Sequence, residues 1–278
     1  MNGQRGKGVA FVTGASVGIG KAIVLHLLKD GWTVYGGARR IEKMADIEGR
    51  GAKILKLDVT DDNSIQEAVR TILDNEGRID VLVNNAGYGS YGALEDVPVE
   101  EARRQFEVNL FGVARLNQLV LPTMRKQRRG YILNVSSMGG RIWMPIGGWY
   151  HATKHALEVY SDALRLEVKR FGVKVVVIQP GSIRTEWGGI SAENLKATLE
   201  GSAYRKMATP YVKVLSNANM GSSPDVVARA VVRAVNSTHP RRRYAVPWDA
   251  KIAVFVKRIL PEAVWDGFLG LARFMEPK

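Results

Sequence analysis

A tyrosine and a lysine four residues apart are the pair in this chain best suited to acid–base chemistry. Tyr150 and Lys154 share one face of a helix, and apolar residues spaced three or four apart from Leu157 to Phe171 predict that helix. A free tyrosine has a pKa of about 10, and a neighbouring ammonium stabilises the phenolate. We therefore expect Lys154 to lower the pKa of Tyr150, so that the phenol can exchange a proton with a carbonyl or an alcohol.

A serine at the end of a predicted strand could hold the oxygen atom of a substrate. Ser137 follows the apolar run 130–135, and ligands bind at the carboxyl ends of parallel strands. Its hydroxyl could orient the oxygen while Tyr150 transfers the proton. Taken alone, Ser137 and the Tyr150–Lys154 pair each allow a purely structural explanation. A serine at a strand end, for example, commonly caps a turn.

A glycine-rich turn after the first predicted strand suits the phosphates of a nucleotide. Residues 13–20 read Thr-Gly-Ala-Ser-Val-Gly-Ile-Gly. Glycines there permit a tight turn and a close approach of the backbone to a pyrophosphate, and the helix that follows offers free N–H groups at its start. We expect five residues of this turn to contact a dinucleotide: Gly14, Ser16, Gly18, Ile19 and Gly20.

The second predicted strand ends in two arginines, Arg39 and Arg40, with no acidic residue beside them. An acid at this point would accept from the ribose 2′-hydroxyl of NAD, whereas arginine accommodates the 2′-phosphate of NADP. A guanidinium fork also binds phosphate well. The structural alternative is a solvated pair that caps a helix. We expect NADP(H) as the cofactor.

Two other chemistries deserve comparison. The letters Gly-x-Ser-x-Gly around Ser16 match the nucleophile elbow of a serine hydrolase, for which Asp225 and His239 could complete a triad. That hypothesis leaves the later motifs unexplained. His151 and His155 have the spacing of two zinc ligands, but the glutamate of His-Glu-x-x-His and any cysteine are missing. We expect no metal site.

Short apolar runs alternate with helical patterns and predict the scaffold for these residues. Near-continuous apolar strands indicate a parallel sheet covered on both faces. We predict an α/β fold, a Rossmann-like doubly wound parallel sheet in three α/β/α layers, as one domain over 1–278. The predicted strands are 9–12, 33–36, 53–57, 80–83, 130–135 and 174–178, and the predicted helices are 20–29, 63–75, 100–125 and 149–171.

The composition excludes several classes of protein. The chain has 278 residues, 46% of them apolar, and no cysteine, which excludes disulfides and thiolate chemistry. The formal net charge is +13, but the basic runs are short and lack interleaved aromatic residues, so we expect no nucleic-acid binding. A signal sequence and an apolar run of membrane-spanning length are not found. We expect a cytoplasmic protein.

Six motifs, taken in order, resemble those of the short-chain dehydrogenase/reductase family, and the resemblance covers Gly8 to about Thr185. The serine lies thirteen residues before the tyrosine, as is usual in that family, which favours Ser137 over its neighbour. The motifs are Thr13-Gly14-x-x-x-Gly18-Ile19-Gly20, Asn84-Asn85-Ala86-Gly87, Asn109, Ser137, Tyr150-x-x-x-Lys154 and Pro180-Gly181-Ser182-Ile183-Arg184-Thr185.

The resemblance implies a role for each matched position. Tyr150 would be the general acid/base, Lys154 would lower its pKa and hold the nicotinamide ribose, and Ser137 would orient the carbonyl. Asn109 would anchor a water in a proton relay to Lys154. The glycine turn has no basic residue, so Arg39 and Arg40 alone favour NADP. Further cofactor contacts would come from Asp58, Val59, Asn85, Ala86, Gly87, Pro180, Gly181, Ile183 and Thr185.

Bulky apolar residues around the catalytic set predict a hydrophobic ketone, aldehyde or secondary alcohol, such as a steroid-, retinol- or long-chain-like compound. A non-catalytic dinucleotide-binding sensor or scaffold on the same fold is the alternative function. The expected substrate contacts are Ser137, Met138, Trp143, Trp149, Tyr150 and Trp187.

Two segments beyond the motifs carry separate expectations. Residues 186–220 look less regular and are expected to form a substrate lid. Residues 249–278 are expected to form a C-terminal helical extension, which either packs on the domain or a second subunit, or rests on a membrane as a basic amphipathic segment. By resemblance we expect a homodimer or homotetramer.

Overall fold

The computed structural model describes residues 6–217 and 219–272. Within these residues seven strands form one parallel sheet: β1 (Val9–Thr13), β2 (Thr33–Ala38), β3 (Lys53–Lys56), β4 (Val81–Asn84), β5 (Gly130–Val135), β6 (Val173–Pro180) and β7 (Arg243–Val246). Their order in the sheet is β3-β2-β1-β4-β5-β6-β7. The predicted doubly wound parallel fold is confirmed.

Helices cover both faces of the sheet. The α-helices of the described residues are α1 (Gly18–Lys29), α2 (Ala45–Glu48), α3 (Asp62–Glu76), α4 (Val99–Phe106), α5 (Gly112–Gln127), α6 (Gly148–Val168), α7 (Glu186–Ala197), α8 (Arg205–Ser216), α9 (Asp225–Val235), α10 (Trp248–Ile259) and α11 (Glu262–Ala272). One apolar core joins the sheet to α1 and α9, and the other joins it to α3, α5 and α6. None of these helices is long and apolar enough to cross a membrane.

The strand order reverses at β1, which pairs with β2 on one side and with β4 on the other. The connections that leave β1 and β4 therefore run in opposite directions and open a crevice at their carboxyl ends. Residues 14–20 follow β1 and residues 85–87 follow β4. The topology thus brings the two glycine-containing motifs to the same crevice.

Three parts of the fold differ from the sequence-based expectations. The strand β7 was not predicted, because it is a four-residue edge strand that begins with Arg243 and contains no long apolar run. The predicted helix 100–125 is interrupted by a π-helical segment, Glu107–Phe111, a feature common at functional sites. The segment 186–220 contains two regular helices, α7 and α8, rather than irregular chain.

Buried amides fasten α6 to the centre of the sheet. Asn84 Nδ2 on β4 donates to Asn134 Oδ1 on β5 (2.9 Å) and to Asn117 Oδ1 on α5 (3.0 Å). Asn134 Nδ2 in turn donates to Ser161 Oγ on α6 (2.8 Å). All four residues are at most 1% exposed, so removing one member leaves buried polar groups unpaired. This network positions the helix that carries Tyr150.

We expect Asn134→Ala to lower the free energy of unfolding by about 2–3 kcal/mol, because Asn84 and Ser161 each lose a buried partner. Urea denaturation measures this change as a lower midpoint at an unchanged slope. The control is Asn63→Ala on the exposed surface of α3, which should shift stability by less than about 0.5 kcal/mol. Equal midpoints for the two variants would contradict a stabilising role for the network.

Candidate active site

A single elongated cavity of about 1260 Å³ runs along the carboxyl edge of the sheet. One half lies against the glycine turn after β1 and the arginines after β2. The other half lies beneath α7 and α8. Ser137, Tyr150 and Lys154 line the middle, where the two halves meet.

The glycine turn leaves its backbone open to the cavity. Gly14 and Gly18 have φ of +66° and +56°, in the left-handed region that favours glycine. Asn85 Nδ2 donates to the carbonyls of Thr13 (2.9 Å) and Gly14 (3.2 Å) and so holds the turn in place. A Cβ on Gly14 would lie 2.9 Å from Asn85 Nδ2, and one on Gly18 would lie 2.9 Å from Thr185 Cγ2, so neither position has room for a side chain. Both glycines line the cavity, where a bare backbone fits the close approach of a pyrophosphate.

The structure brings together seventeen of the eighteen predicted cofactor contacts. Gly20 does not line the cavity; a Cβ there would lie 2.1 Å from the Gly14 carbonyl oxygen, so its role is to let α1 pack against the turn. The lining set is Gly14, Ser16, Gly18, Ile19, Arg39, Arg40, Asp58, Val59, Asn85, Ala86, Gly87, Tyr150, Lys154, Pro180, Gly181, Ile183 and Thr185.

Arginines and acids together line the end of the cofactor half that holds Arg39 and Arg40. Arg40 Nη2 lies 3.6 Å from Glu186 Oε2 at the start of α7. Burial raises the pKa of Asp58, but hydrogen bonds from Thr60 and the charges of Arg39 and Arg104 outweigh burial and hold that pKa below its usual value. Asp58 Oδ1 accepts from the Thr60 backbone N–H (3.0 Å) and hydroxyl (2.7 Å), so the acid also closes a turn after β3.

Tyr150 and Ser137 form the centre of the site. Tyr150 lies in the first turn of α6, and burial raises its pKa to about 12, although the Ser137 hydroxyl acts in the opposite direction. Ser137 Oγ also accepts from the Gly139 backbone N–H (3.0 Å), which fixes the serine at the start of a short 3-10 turn. The two hydroxyls therefore face the same point of the cavity.

Lys154 is buried behind this pair. Its ammonium lies 5.9 Å from the centroid of the Tyr150 ring and donates to the Val135 carbonyl oxygen (3.0 Å). Burial lowers the pKa of Lys154 to about 8. Loss of solvent around the phenol has the largest effect on Tyr150, so its pKa is raised overall. The expectation that Lys154 lowers this pKa stays a prediction.

A buried carboxylate that sequence reasoning missed lies one helical turn beyond Lys154. Glu158 is 2% exposed, and its two oxygens accept from Gln179 Nε2 (2.9 Å) and Arg243 Nε (2.7 Å). Its charge raises the pKa of Lys154 against the larger effect of burial. The sequence did contain a signal for this carboxylate, because an acid four residues after Lys154 lies on the same helix face.

Asn109 lies at the centre of the π-helical segment. Its Nδ2 donates to the Tyr88 carbonyl oxygen (2.9 Å) and to Thr153 Oγ1 (3.0 Å), and its Oδ1 accepts from the Tyr88 N–H (3.1 Å). Asn109 thus ties the chain after β4 to α6. A Cβ on Gly87 would lie 3.0 Å from Asn109 Oδ1 and 3.5 Å from Lys154 Nζ, so this glycine keeps the space between them open. The water relay stays a prediction.

The substrate half is apolar and aromatic. Met138, Tyr150 and Trp187 line it as expected, and the Tyr150 and Trp187 ring centroids are 5.4 Å apart. Sequence reasoning did not identify the contributions of the two helices above the cavity, whose apolar positions resemble those of any amphipathic helix. The additional lining residues from these helices include Ile190, Asn194, Tyr211, Val214 and Leu215.

Two predicted substrate contacts need correction, because Trp143 and Trp149 do not line the cavity. Trp143 packs against the C-terminal helices: Lys257 Nζ lies 4.0 Å from its ring centroid, and Trp265 Nε1 donates to its carbonyl oxygen (3.3 Å). Its neighbours Ile142 and Met144 face the cavity instead.

The residues of the hydrolase hypothesis lie apart, and the two histidines of the zinc hypothesis bond the backbone. Asp225 contacts His26 (3.1 Å) on the outer helices, and His239 contacts Thr238, so neither completes a triad with Ser16. His151 and His155 each bond a backbone carbonyl oxygen through Nδ1. Among residues 6–217 and 219–272, no group of three metal-ligating side chains is found.

Comparison with known proteins gives consistent matches. An NADPH-dependent 3-dehydrocapnine reductase from Ornithobacterium rhinotracheale is 35% identical over 92% of this chain and 94% of its own length. A 3-ketodihydrosphingosine reductase from Bacteroides thetaiotaomicron is 45% identical over 64% of each chain. The crystal structure of a short-chain dehydrogenase from Streptomyces avermitilis has a TM-score of 0.83 at 32% identity, over 98% of this chain and 99% of that one.

The family model described as short chain dehydrogenase matches residues 8–195. That range contains the glycine turn, Ser137, Tyr150 and Lys154, the residues that the structure brings to one cavity. The chain belongs to the short-chain dehydrogenase/reductase family of oxidoreductases.

Proposed function

We propose that the protein is an NADP(H)-dependent oxidoreductase that transfers a hydride between nicotinamide and a hydrophobic ketone, aldehyde or secondary alcohol. The observation that carries this proposal is the meeting of the Ser137 and Tyr150 hydroxyls where the glycine-turn half of the cavity joins the apolar half. Within the steroid-, retinol- and long-chain-like class, the relatives named for 3-dehydrocapnine and 3-ketodihydrosphingosine favour a long-chain ketone.

Each side chain of the set has a distinct task. Ser137 donates a hydrogen bond to the substrate oxygen and holds it beside the phenol. Tyr150, whose pKa of about 12 keeps it protonated at neutral pH, donates its proton to that oxygen during reduction. The glycine turn with Arg39 and Arg40 would hold NADPH, which would supply the hydride when bound. The positive charge of Lys154 then stabilises the phenolate left on Tyr150.

The burial of Lys154 supports a functional role for it. A lysine in the interior destabilises the fold unless it has strong partners, and here one carbonyl oxygen and the more distant Glu158 are its partners. The structure therefore retains a charge that burial opposes, at the position where a phenolate would form. That arrangement is typical of an active site rather than of a structural core.

Further proposals concern partners and location. We infer a homodimer or homotetramer, because Val159 and Leu166, seven residues apart on one face of α6, are 71% and 64% exposed. Sedimentation velocity tests this oligomeric state, and a monomer at micromolar concentration would contradict it.

We also propose that residues 186–220, which contain α7 and α8, form a lid over the substrate. For the location of the protein, we propose the cytoplasm.

We expect Tyr150→Phe to lower kcat for NADPH-dependent reduction of a long-chain ketone by about 100-fold or more, because only the proton donor is lost. The KM for NADPH should stay within about threefold. The matched control is Tyr160→Phe on the same helix, whose hydroxyl bonds Asn117 away from the cavity. Equal rates for the wild type and Tyr150→Phe would exclude this mechanism, and NADPH binding without any turnover would favour the sensor alternative.

We expect the double variant Arg39→Ala, Arg40→Ala to raise the KM for NADPH about tenfold or more, with a change below about threefold for NADH. Loss of charge-assisted hydrogen bonds to the 2′-phosphate is the physical reason. Arg103→Ala, an exposed arginine on α4, is the control. If the KM values for the two cofactors rise equally, the arginines do not select NADP.

We expect the unfolding free energy of the wild type, measured relative to Lys154→Met, to rise by about 2 kcal/mol from about pH 7 to about pH 10. Burial lowers the pKa of Lys154 from 10.5 to about 8, so the unfolded chain binds more protons than the folded chain within this window. The buried Lys154 ammonium destabilises the folded state fully below about pH 8. This destabilisation decreases as pH rises and the folded protein loses the proton.

Urea unfolding at several pH values measures this difference. The control is Lys169→Met, which removes an exposed lysine just beyond α6 and should show a nearly constant difference from the wild type. A pH-independent difference for Lys154→Met would show that burial does not penalise the ammonium.

A further inference from the structure

An apolar stripe covers the outer face of α10. Trp248, Ile252, Phe255 and Ile259 are 70%, 53%, 62% and 61% exposed, and spacings of four, three and four place them on one helix face. We call these four residues the α10 stripe. The opposite side of α10 packs against β7, and Ala250 there is fully buried. The stripe therefore faces away from the domain, and exposed apolar patches of this kind mark interaction sites.

One flank of the stripe is cationic. Lys251 and Arg258 are exposed and each lies three residues after a stripe residue, hence beside it. The acid on α10, Asp249, accepts from the backbone N–H groups of Ser182 (2.9 Å) and Ala250 (2.8 Å), at the inner end of the helix. The exposed acids nearby, Glu262 and Asp266, belong to α11. Within residues 6–217 and 219–272, neither Lys251 nor Arg258 forms an ion pair, so the stripe there combines apolar side chains with positive charge.

This charge pattern disfavours a second copy of the chain as the occupant. If two α10 helices packed antiparallel across a twofold axis, Lys251 of one copy would approach Arg258 of the other. Two cations would then meet without an anion, at an energetic cost. Anionic lipid headgroups instead neutralise both side chains, and a tryptophan at one end of the stripe suits the membrane–water interface.

The inner side of α10, opposite the stripe, contacts a segment that lines the substrate half of the cavity. Lys257 of α10 lies over the ring of Trp143 at 4.0 Å, and the residues on either side of that tryptophan, Ile142 and Met144, line the cavity. An apolar compound leaving a bilayer at α10 would thus start next to the segment that forms the cavity wall. This route rests on the proposed function, whereas the docking surface does not.

We propose that α10 lies flat on an anionic membrane surface. Trp248, Ile252, Phe255 and Ile259 enter the boundary between headgroups and acyl chains, and Lys251 and Arg258 bind lipid phosphates. Amphipathic helices with basic flanks bind membranes in this way, through buried apolar area together with electrostatic attraction. On α11, Val264 and Phe268 are 51% and 60% exposed, so this helix also presents apolar side chains to solvent.

The test is sedimentation of the full chain with vesicles of phosphatidylcholine containing about 30 mol% phosphatidylserine, compared with phosphatidylcholine alone. We expect binding to the anionic vesicles that weakens as salt rises. Ile252→Ser with Phe255→Ser should weaken binding at least about tenfold. Lys251→Gln with Arg258→Gln should abolish the preference for phosphatidylserine.

The matched control is Leu94→Ser with Val99→Ser, two other exposed apolar residues outside the C-terminal helices, which should leave vesicle binding unchanged. Reduction of a short, water-soluble carbonyl should be the same in all variants, which shows that they fold. Vesicle binding needs no turnover, so its result is independent of the proposed reaction.

Two results would overturn the proposal. One is the absence of wild-type binding to either kind of vesicle, or equal binding by Ile252→Ser with Phe255→Ser. The other is a fall in oligomeric mass caused by that double variant, since the stripe would then be an interface between copies of this chain.

Discussion

The burial of one ammonium group, that of Lys154, is the constraint around which the candidate active site is built. The interior opposes this charge strongly enough to bring the pKa of Lys154 to about 8. The nearby groups that favour the charge are the Val135 carbonyl oxygen and, one turn further along α6, the carboxylate of Glu158. The position of α6 against the sheet therefore decides whether the lysine can remain charged beside Tyr150.

The rest of the fold fixes that position. Asparagines on β4, β5 and α5 form a buried network that reaches α6 through Ser161. On the other side, Asn109 binds both the chain after β4 and Thr153 of α6. This asparagine lies in the π-helical segment that separates α4 from α5. Polar groups buried without solvent hold their geometry tightly, because any shift leaves them unpaired.

The two halves of the cavity divide the tasks of recognition. Backbone and cations line the half beside the glycine turn, where a charged dinucleotide fits, and aromatic and aliphatic side chains line the half below α7 and α8. Glu186 lies at the boundary, since it begins α7 and faces Arg40 across the cofactor half. Ile142 and Met144 line the apolar half, and Trp143 between them contacts the C-terminal helices. The chemistry of each wall thus matches a different part of a reaction between a nucleotide and an apolar compound.

The sequence by itself determined the fold class, six of the seven strands to within two residues at either end, and the candidate catalytic set at the cavity. This was possible because buried parallel strands are near-continuous apolar runs and because Ser137, Tyr150 and Lys154 stand at fixed spacings along the chain. Only the tertiary structure decided that Trp143 and Trp149 lie outside the cavity and that Glu158 lies beside Lys154. It also decided that burial raises the pKa of Tyr150 to about 12. These outcomes depend on which side chains lose contact with solvent when distant segments pack together, and spacing along one helix does not contain that information.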